Sequence, residues 1–174
     1  DTSASLYDKL AVVGPQALLA ALTDLPALQA KAEPQDNALA NYAENLSKEE
    51  ALLDFTKAAV ALEREIRAFN PWPVSYLQLP ASNHPAAGQQ LKVWRARVEA
   101  ADNGTAAPGT VVRSDKKGIA IQTGAGLLVL ENIQPAGKKA MAVTDFLNGR
   151  ADWLPVGLQL SLPLGLPLAD GAAV

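Results

Sequence analysis

The chain has 174 residues, of which 49% are hydrophobic and 19% charged, with a formal net charge of −3. This composition is globular and not disordered. The absence of cysteine and the presence of one histidine, His84, exclude disulfides, thiolate metal sites, a cysteine nucleophile and a multi-histidine zinc site. No apolar run approaches the roughly 20 residues that cross a bilayer. The first residues also lack the basic and apolar regions of a secretory signal, so we expect a cytoplasmic protein with no membrane partner.

The first third of the chain is predicted to be helical. Apolar residues recur at helical spacing over residues 6–13,. Gly14-Pro15 is expected to break or restart that helix,, and residues 17–25 form a second apolar helical stretch. Residues 26–41 are mixed and polar, which is typical of a connecting segment.

Two further helices are predicted before residue 70. Ser47 and Glu50 fit the capping box that opens a helix,, here a short one ending near Asp54. Thr56 is the expected cap of the next helix, whose apolar face carries Ala59, Leu62, Ile66 and Phe69,. Glu63 and Arg67 are spaced to form an ion pair on that helix,.

The second half of the chain has the pattern of short strands. Five stretches rich in Val, Ile, Leu and aromatics are separated by turn residues,, and they cover residues 74–79, 91–98, 109–113, 118–123 and 126–133. Their spacing predicts an α+β fold in which N-terminal helices precede a small five-stranded Greek-key β-barrel of the OB type. A short helix is expected from Thr144 to about residue 147, and the tail from residue 154 has little pattern.

Charge is unevenly distributed between the two halves. Residues 1–70 carry a net charge of −5, and residues 89–150 carry +4. Such an asymmetry permits an anionic partner on the second half.

The strongest candidate for a binding function is the turn Gln134-Pro135-Ala136-Gly137-Lys138-Lys139. Adjacent lysines on a turn suit phosphate contacts, which tolerate varied geometry. A simple solvated turn is the alternative. Weaker candidates for the same role are Lys92, Arg95 and Arg113.

Aromatic side chains add a second possibility. Trp72, Tyr76 and Trp94 have the chemistry to stack on bases,. We expect instead that at least two of the three fill the core, because the chain has few other aromatics.

Three other features are weak candidates for catalysis or ligand binding. His84 is placed at an exposed hairpin tip, although it is the one candidate general base for a serine. Gly124-Ala125-Gly126 is predicted to be a hairpin turn and not a dinucleotide site, because a strand follows it,. Glu49, Glu50 and Asp54 lie one helical turn apart, and capping and solvation explain them better than metal binding or acid–base work.

Several segments together resemble the methionyl-tRNA formyltransferase family. They are residues 1–10 (Asp-Thr-Ser-Ala-Ser-Leu-Tyr-Asp-Lys-Leu), Gly14-Pro15, residues 42–51 (Tyr-Ala-Glu-Asn-Leu-Ser-Lys-Glu-Glu-Ala), residues 66–73 (Ile-Arg-Ala-Phe-Asn-Pro-Trp-Pro), residues 91–94 (Leu-Lys-Val-Trp), residues 107–110 (Ala-Pro-Gly-Thr) and residues 130–141 with the Gln-Pro-Ala-Gly-Lys-Lys turn. Order and spacing match over about residues 1–153. The chain departs from the family at residues 52–55, which lack a usual arginine and tryptophan, and at residues 81–89, which look longer than the usual turn.

The resemblance implies an enzyme that transfers a formyl group from 10-formyltetrahydrofolate to initiator methionyl-tRNA in translation initiation. It divides this chain into the helical end of a Rossmann-like catalytic domain (1–30), a linker (31–46), a C-terminal domain with helices and an OB-like barrel (47–153), and an irregular tail (154–174). The family's catalytic residues lie upstream of these segments. No catalytic, cofactor-binding or metal-binding residue is therefore expected here, and the co-substrate would belong to the parent enzyme.

The resemblance also implies partners. They are initiator methionyl-tRNA, contacted by the five basic residues named above, and the catalytic domain. Helices over residues 3–25 would belong to that domain's surface, so we expect them to expose an apolar face that packs on a neighbouring chain or stays poorly ordered. The alternative is a sister formyltransferase that uses the same folate donor on a sugar nucleotide or another amine.

Overall fold

The computed structural model describes residues 1–100 and 106–161. Its helices are α1 (Ser3–Thr23), α2 (Leu25–Ala30), α3 (Ala59–Ala68) and α4 (Val143–Arg150). Its strands are β1 (Tyr76–Gln78), β2 (Gln90–Glu99), β3 (Val111–Asp115), β4 (Gly118–Gln122), β5 (Leu127–Pro135) and β6 (Met141–Ala142). Single 3-10 turns lie at Asn37–Leu39, Glu49–Ala51 and Ala151–Trp153.

The strands form one antiparallel sheet in the order β1-β2-β5-β4-β3, with β6 also paired to β5. All five predicted strands are confirmed, and the two-residue β6 was missed because two residues give no periodicity. Strands β1 and β3 are the edges, and no ladder joins them in the described part of the chain. The sheet is therefore open, and the predicted closed OB-like Greek-key barrel is not confirmed.

Helices α3 and α4 cover one face of this sheet and enclose the core. Leu62 and Ile66 of α3 and Phe146 of α4 are at most 1% exposed, and they meet the inward side chains of the strands. Those side chains are Leu77, Leu91, Val93, Val111, Ile119, Ile121, Leu128, Leu130 and Ile133. Burial of this apolar area, worth about 25 cal/mol per Å², fixes the strand register, because a shift of one residue would turn each of these side chains to the other face.

The predicted capping box forms, but the helix behind it is a single 3-10 turn. The Ser47 N–H donates to Glu50 Oε1 (3.0 Å), and the Glu50 N–H donates to Ser47 Oγ (3.3 Å). Beyond Glu49–Ala51 the chain becomes extended, and the Leu53 N–H donates to Tyr76 O (2.9 Å). Leu53 and Phe55 are at most 1% exposed, so extended backbone buries alternate side chains that a helix would have turned outward.

Helix α3 is confirmed with a different start. It begins at Ala59 without a side-chain cap, because the predicted cap, Thr56, bonds to Asp54 through its N–H (3.0 Å) and its hydroxyl (2.7 Å). The Glu63–Arg67 pair is confirmed at 2.7 Å.

The N-terminal region differs from the rest in having no buried side chain in its helices. Helix α1 runs without interruption through Gly14-Pro15, so the predicted break is wrong: proline removes one hydrogen bond of the ladder, and the remaining bonds hold the helix. Helix α2 occupies part of the predicted connecting segment. The start of α1 contacts the end of α3, where the Ala4 N–H donates to Asn70 O (3.3 Å). Large apolar side chains of α1 are exposed as expected, with Leu6, Leu10, Val13, Leu18 and Leu22 between 47% and 60% exposed.

The described part of the predicted irregular tail contains a turn, in which the Leu158 N–H donates to Pro155 O (3.1 Å). The Leu160 N–H donates to Gly109 O (3.0 Å) and the Gly157 N–H to Val111 O (2.8 Å), so residues 157–160 lie beside residues 109–111 at the start of β3. The remainder of the tail, residues 162–174, lies outside the described residues. No helix in the described ranges is long and apolar enough to cross a membrane.

Candidate nucleic-acid interface

The lysine-rich turns meet at one end of the sheet. Strand β2 occupies one edge of β5 along its length, and β4 and β6 share the other edge. Ile119 of β4 is paired with Leu130, and Met141 of β6 with Ile133. The β3–β4 turn at residues 116–117 and the β5–β6 turn at residues 136–140 therefore lie at the same end of the sheet, near the carboxyl end of β5, with β6 between them. We call this region the lysine end of the sheet.

Hydrogen bonds hold the backbone of the β5–β6 turn. The Gln134 side chain donates from Nε2 to Lys138 O (2.7 Å) and accepts at Oε1 from Trp94 Nε1–H (2.8 Å). The Lys138 N–H donates to Pro135 O (3.1 Å), and Gly137 supplies a φ of 69°, which glycine adopts without strain. The backbone is thus fixed, while Lys138 and Lys139 extend into solvent.

The β3–β4 turn is also fixed at its backbone. The Lys117 N–H donates to Asp115 Oδ1 (2.7 Å), and Lys117 O accepts from Arg97 Nη2 (3.1 Å). Gly118 has a φ of +126°, and a Cβ there would lie 2.6 Å from Val129 Cγ1. Only glycine fits this position, so the turn cannot shift easily.

Five lysines share three properties at this end of the sheet: each is exposed, each lies on a strand end or turn, and none makes an ion pair within the described ranges. They are Lys92, Lys116, Lys117, Lys138 and Lys139. Sequence reasoning proposed three of them and missed Lys116 and Lys117. The signal was present, because a second pair of adjacent lysines lies between two predicted strands.

Two shallow depressions lie among these lysines. One, of about 160 Å³, is bordered by Lys92, Gln134 and the β5–β6 turn. The other, of about 190 Å³, is bordered by Lys116, Lys117, Glu131 and the first residues of α4. Shallow basic depressions suit an extended anion better than an enclosed small molecule.

The arginines predicted alongside the lysines have a different environment. They belong to a chain of ion pairs on the outer face of the sheet: Arg95–Glu131 (2.8 Å), Glu131–Arg97 (3.2 Å), Arg97–Glu99, Glu99–Arg113 (2.8 Å) and Arg113–Asp115 (3.9 Å). The hydrogen bond from Arg113, followed by the one from Arg97, lowers the pKa of Glu99 to about 2,. Arg95 and Arg113, the two arginines predicted to contact phosphates, thus have carboxylate partners.

This arginine network surrounds a small buried patch. Arg97 is paired across the sheet with Val129, Val129 with Ala120, and Ala120 with Arg113. Val129 and Ala120 are 0% exposed although they lie on the face without helices. The flanking arginine stems can shield such a patch while their charged ends stay paired, which gives the network a structural role.

None of the three candidate stacking aromatics lies in the buried core. Trp72 is 53% exposed, and Tyr76 and Trp94 are half-buried. The expectation that at least two of them fill the core is therefore wrong. Phe55 and Phe146, both 0% exposed, take that place beside the aliphatic side chains.

His84 is not an exposed hairpin tip. Its Nδ1 accepts from the Ala86 N–H (3.0 Å), and its Nε2 lies 2.8 Å from Trp153 O. A carbonyl oxygen only accepts, so Nε2 carries the proton. With both ring nitrogens bonded to backbone, His84 connects residues 81–89 to the segment after α4 and does not serve as a base for a serine.

The other two weak candidates are structural. The Gly124 N–H donates to Phe55 O (2.9 Å) and Lys57 O (3.0 Å), so the glycine turn packs on the entry to α3 and its Gly124 amide is already bonded within the fold. Glu50 and Asp54 accept local backbone hydrogen bonds. Within residues 1–100 and 106–161, no three metal-ligating side chains cluster.

Comparison with known proteins gives the family. Residues 45–151 match the family model described as formyl transferase, C-terminal domain. The fold resembles two solved variants of HypX from Aquifex aeolicus, with TM-scores of 0.54 and 0.51 at 14% and 12% identity, over 84% and 81% of this chain. The chain spans about a quarter of the length of those structures, 26% and 24%. At such identity the likeness concerns the fold alone, whereas the family model covers more than half of the chain: this protein belongs to the formyl transferase C-terminal domain family.

Proposed function

We propose that this chain is the RNA-holding, C-terminal part of a methionyl-tRNA formyltransferase. The parent enzyme would transfer a formyl group from 10-formyltetrahydrofolate to initiator methionyl-tRNA in the cytoplasm. Catalysis and folate binding would belong to an associated catalytic domain. The task of this chain would be to hold the tRNA.

One observation carries the proposal: five exposed lysines, which make no ion pair with any residue that the structure describes, lie at one end of the sheet. Lysine contacts to phosphate are sequence-independent and release counterions from the nucleic acid. They suit the recognition of a folded RNA by its shape and backbone. The Gln-Pro-Ala-Gly-Lys-Lys turn, on which the resemblance to methionyl-tRNA formyltransferases partly depends, lies within this lysine end.

The distribution of charge also favours the approach of an RNA to the half of the chain that contains the sheet. Residues 1–70 have a net charge of −5 against +4 for residues 89–150. A polyanion is therefore attracted to residues 89–150 and repelled from residues 1–70 as a whole. Since the acceptor end of the tRNA would be held by the catalytic domain, we expect the isolated chain to bind tRNA weakly and to have no formyltransferase activity.

The test is titration of the full 174-residue chain with initiator tRNA at several salt concentrations. We expect log K to fall with log[salt], and the Lys138→Ala/Lys139→Ala variant to reduce that slope by about two units. Lys31→Ala/Lys48→Ala is the matched control, because it removes two exposed lysines from the N-terminal part and should leave the slope unchanged.

The rival function predicts a different result. The C-terminal domain of a sister formyltransferase, acting on a sugar nucleotide or another amine, would show no salt-dependent tRNA binding. Equal slopes for the wild type and the Lys138→Ala/Lys139→Ala variant would indicate that these lysines form only a solvated turn. The main support for the RNA-holding role would then be lost.

A further inference from the structure

We propose that Lys116 and Lys117 form a second phosphate-contact site, so that one RNA backbone spans both lysine turns. This inference rests on the proposed RNA-holding function and extends it to a turn that the sequence resemblance does not include. It assigns the β3–β4 turn a binding role and gives Arg97 the role of a positioning residue.

The first argument is the separation of the two turns. Gly118, which ends the β3–β4 turn, lies beside Glu131 of β5, and the β5–β6 turn begins after Pro135. Four residues of strand separate these two points along β5, which corresponds to roughly 13 Å at the usual rise per residue. Long lysine side chains at both ends of that interval can reach successive phosphates of one backbone.

The second argument is the state of the nearby carboxylates. Glu131 borders the depression beside Lys116 and Lys117, but its two oxygens are held by Arg95 (2.8 Å) and Arg97 (3.2 Å). Asp115 accepts the Lys117 N–H (2.7 Å) and lies 3.9 Å from Arg113. Each of these carboxylates is therefore paired with at least one arginine, and among the described residues no carboxylate is paired with the two lysine ammonium groups.

The third argument is the rigidity of the turn. Arg97 donates to Lys117 O (3.1 Å) while its guanidinium is also paired with Glu99 and Glu131. Together with Gly118, which no larger residue replaces without a clash, this contact fixes where the lysines leave the sheet. A fixed origin reduces the ordering cost of binding, since only the side chains themselves must be immobilised.

A polyanion fits this arrangement better than a small anion does. Each turn offers two ammonium groups in an open, shallow setting, which gives little affinity for a single phosphate. Two such turns on one rigid sheet act together on a ligand that carries many phosphates. Folded RNA, the proposed partner of the lysine end, is such a ligand.

The experiment compares tRNA binding by the full chain and by Lys116→Ala/Lys117→Ala, with Lys31→Ala/Lys48→Ala as the control of equal charge change. We expect the variant to lower the salt slope by about two units, so that the wild type loses roughly 16-fold more affinity than the variant between 50 and 200 mM salt. Lys116→Arg/Lys117→Arg, which keeps the charge, should retain the wild-type slope. The stoichiometry should be one tRNA per chain.

Three outcomes have distinct meanings. If Lys138→Ala/Lys139→Ala lowers the slope but Lys116→Ala/Lys117→Ala does not, the second site is wrong and the proposed function stands. If two tRNA molecules bind per chain and each double variant removes one, the spanning arrangement is wrong. If the wild type shows no salt-dependent binding of tRNA, the proposed function and this inference both fail.

Discussion

The two ends of the sheet both carry glycine-containing turns, but the environments of these turns differ in the structure. At one end, Gly124 donates its amide to Phe55 O and Lys57 O, and the turn is closed against α3. At the other end, the two lysine turns use their backbone groups internally and leave their side chains in solvent. A turn is therefore a binding candidate only when its ligand-facing groups are free of partners in the fold.

The same comparison applies within the basic residues. Arg95, Arg97 and Arg113 have carboxylate partners, whereas the five lysines have none in the ranges that the structure describes. Positive charge in the sequence therefore divides into charge that stabilises the fold and charge that is available to a partner. Arginine suits the first role because its planar guanidinium bonds two carboxylates at once.

The largest expected effect on stability concerns the glycine turn that packs against α3. A Cβ at Gly124 would lie 2.0 Å from Thr56 O, so Gly124→Ala must move the backbone and weaken both amide hydrogen bonds. Overpacking and the loss of these bonds predict a destabilisation of about 3 kcal/mol or more. Urea unfolding monitored by circular dichroism measures it.

A glycine in open space is the control for that substitution. Gly149 lies in α4 with no atom near its missing side chain, and Gly149→Ala should stabilise the protein by up to about 1 kcal/mol through helix propensity. Equal stability of Gly124→Ala and the wild type would show that the turn is not closed against α3.

The second effect concerns the arginine network. Glu99 joins Arg97 and Arg113, and Glu99→Gln would leave two guanidinium groups without their shared carboxylate. We expect a loss of about 1–2 kcal/mol at pH 7, less than a fully buried pair would give, because the Glu99 side chain is 27% exposed and partly screened,.

The lowered pKa of Glu99 also predicts how its contribution to stability changes with pH. Because the arginines lower the pKa of Glu99 from 4.5 to about 2, the unfolded state binds the proton more tightly than the folded state does. The stabilisation from Glu99 is therefore complete above about pH 4.5 and is lost as the pH falls towards 2. The difference in unfolding free energy between the wild type and Glu99→Gln should shrink over that range; a constant difference would contradict the role of the charge.

The elements with clear periodicity could be predicted from the sequence. The five strands and α3 follow from alternation and helical spacing, since the burial of Leu62, Ile119 and Leu128 enforces those periods,. The capping box at Ser47 was also readable, but not the length of the helix it opens. The burial of Leu53 and Phe55 limits this helix to a single turn, and such a tertiary contact has no local signal in the sequence.

The candidate site was only partly predictable for a similar reason. Adjacent lysines on turns are visible in the sequence, but the ion pairs of Arg95 and Arg113 depend on strand pairing and on two register shifts between β2 and β5. The bond of His84 to Trp153 likewise joins segments 69 residues apart. Sequence patterns specify which residues are basic; the register specifies which of them have partners.

The smallest effect provides the most direct test of the difference between paired and unpaired cations. Lys92 and Arg95 both lie on β2 and are exposed, but Arg95 is bonded to Glu131 (2.8 Å) and Lys92 has no ion pair in the described part of the chain. Arg95→Ala should cost less than about 0.5 kcal/mol of stability, because its side chain is 77% exposed and Glu131 keeps Arg97,. We expect a similarly small stability effect for Lys92→Ala.

Binding of tRNA should separate the two variants. Each substitution removes one positive charge from the same strand, so its long-range effect on an approaching polyanion is nearly the same. A direct phosphate contact adds about one unit to the salt slope. Lys92→Ala should therefore lower the slope by about one unit and Arg95→Ala by less than half a unit, as measured by titration between 50 and 300 mM salt. A loss of about one unit in both variants would mean that Glu131 releases Arg95 to the RNA, so that the network belongs to the interface as well as to the fold, whereas an unchanged slope in both would show that Lys92 makes no phosphate contact.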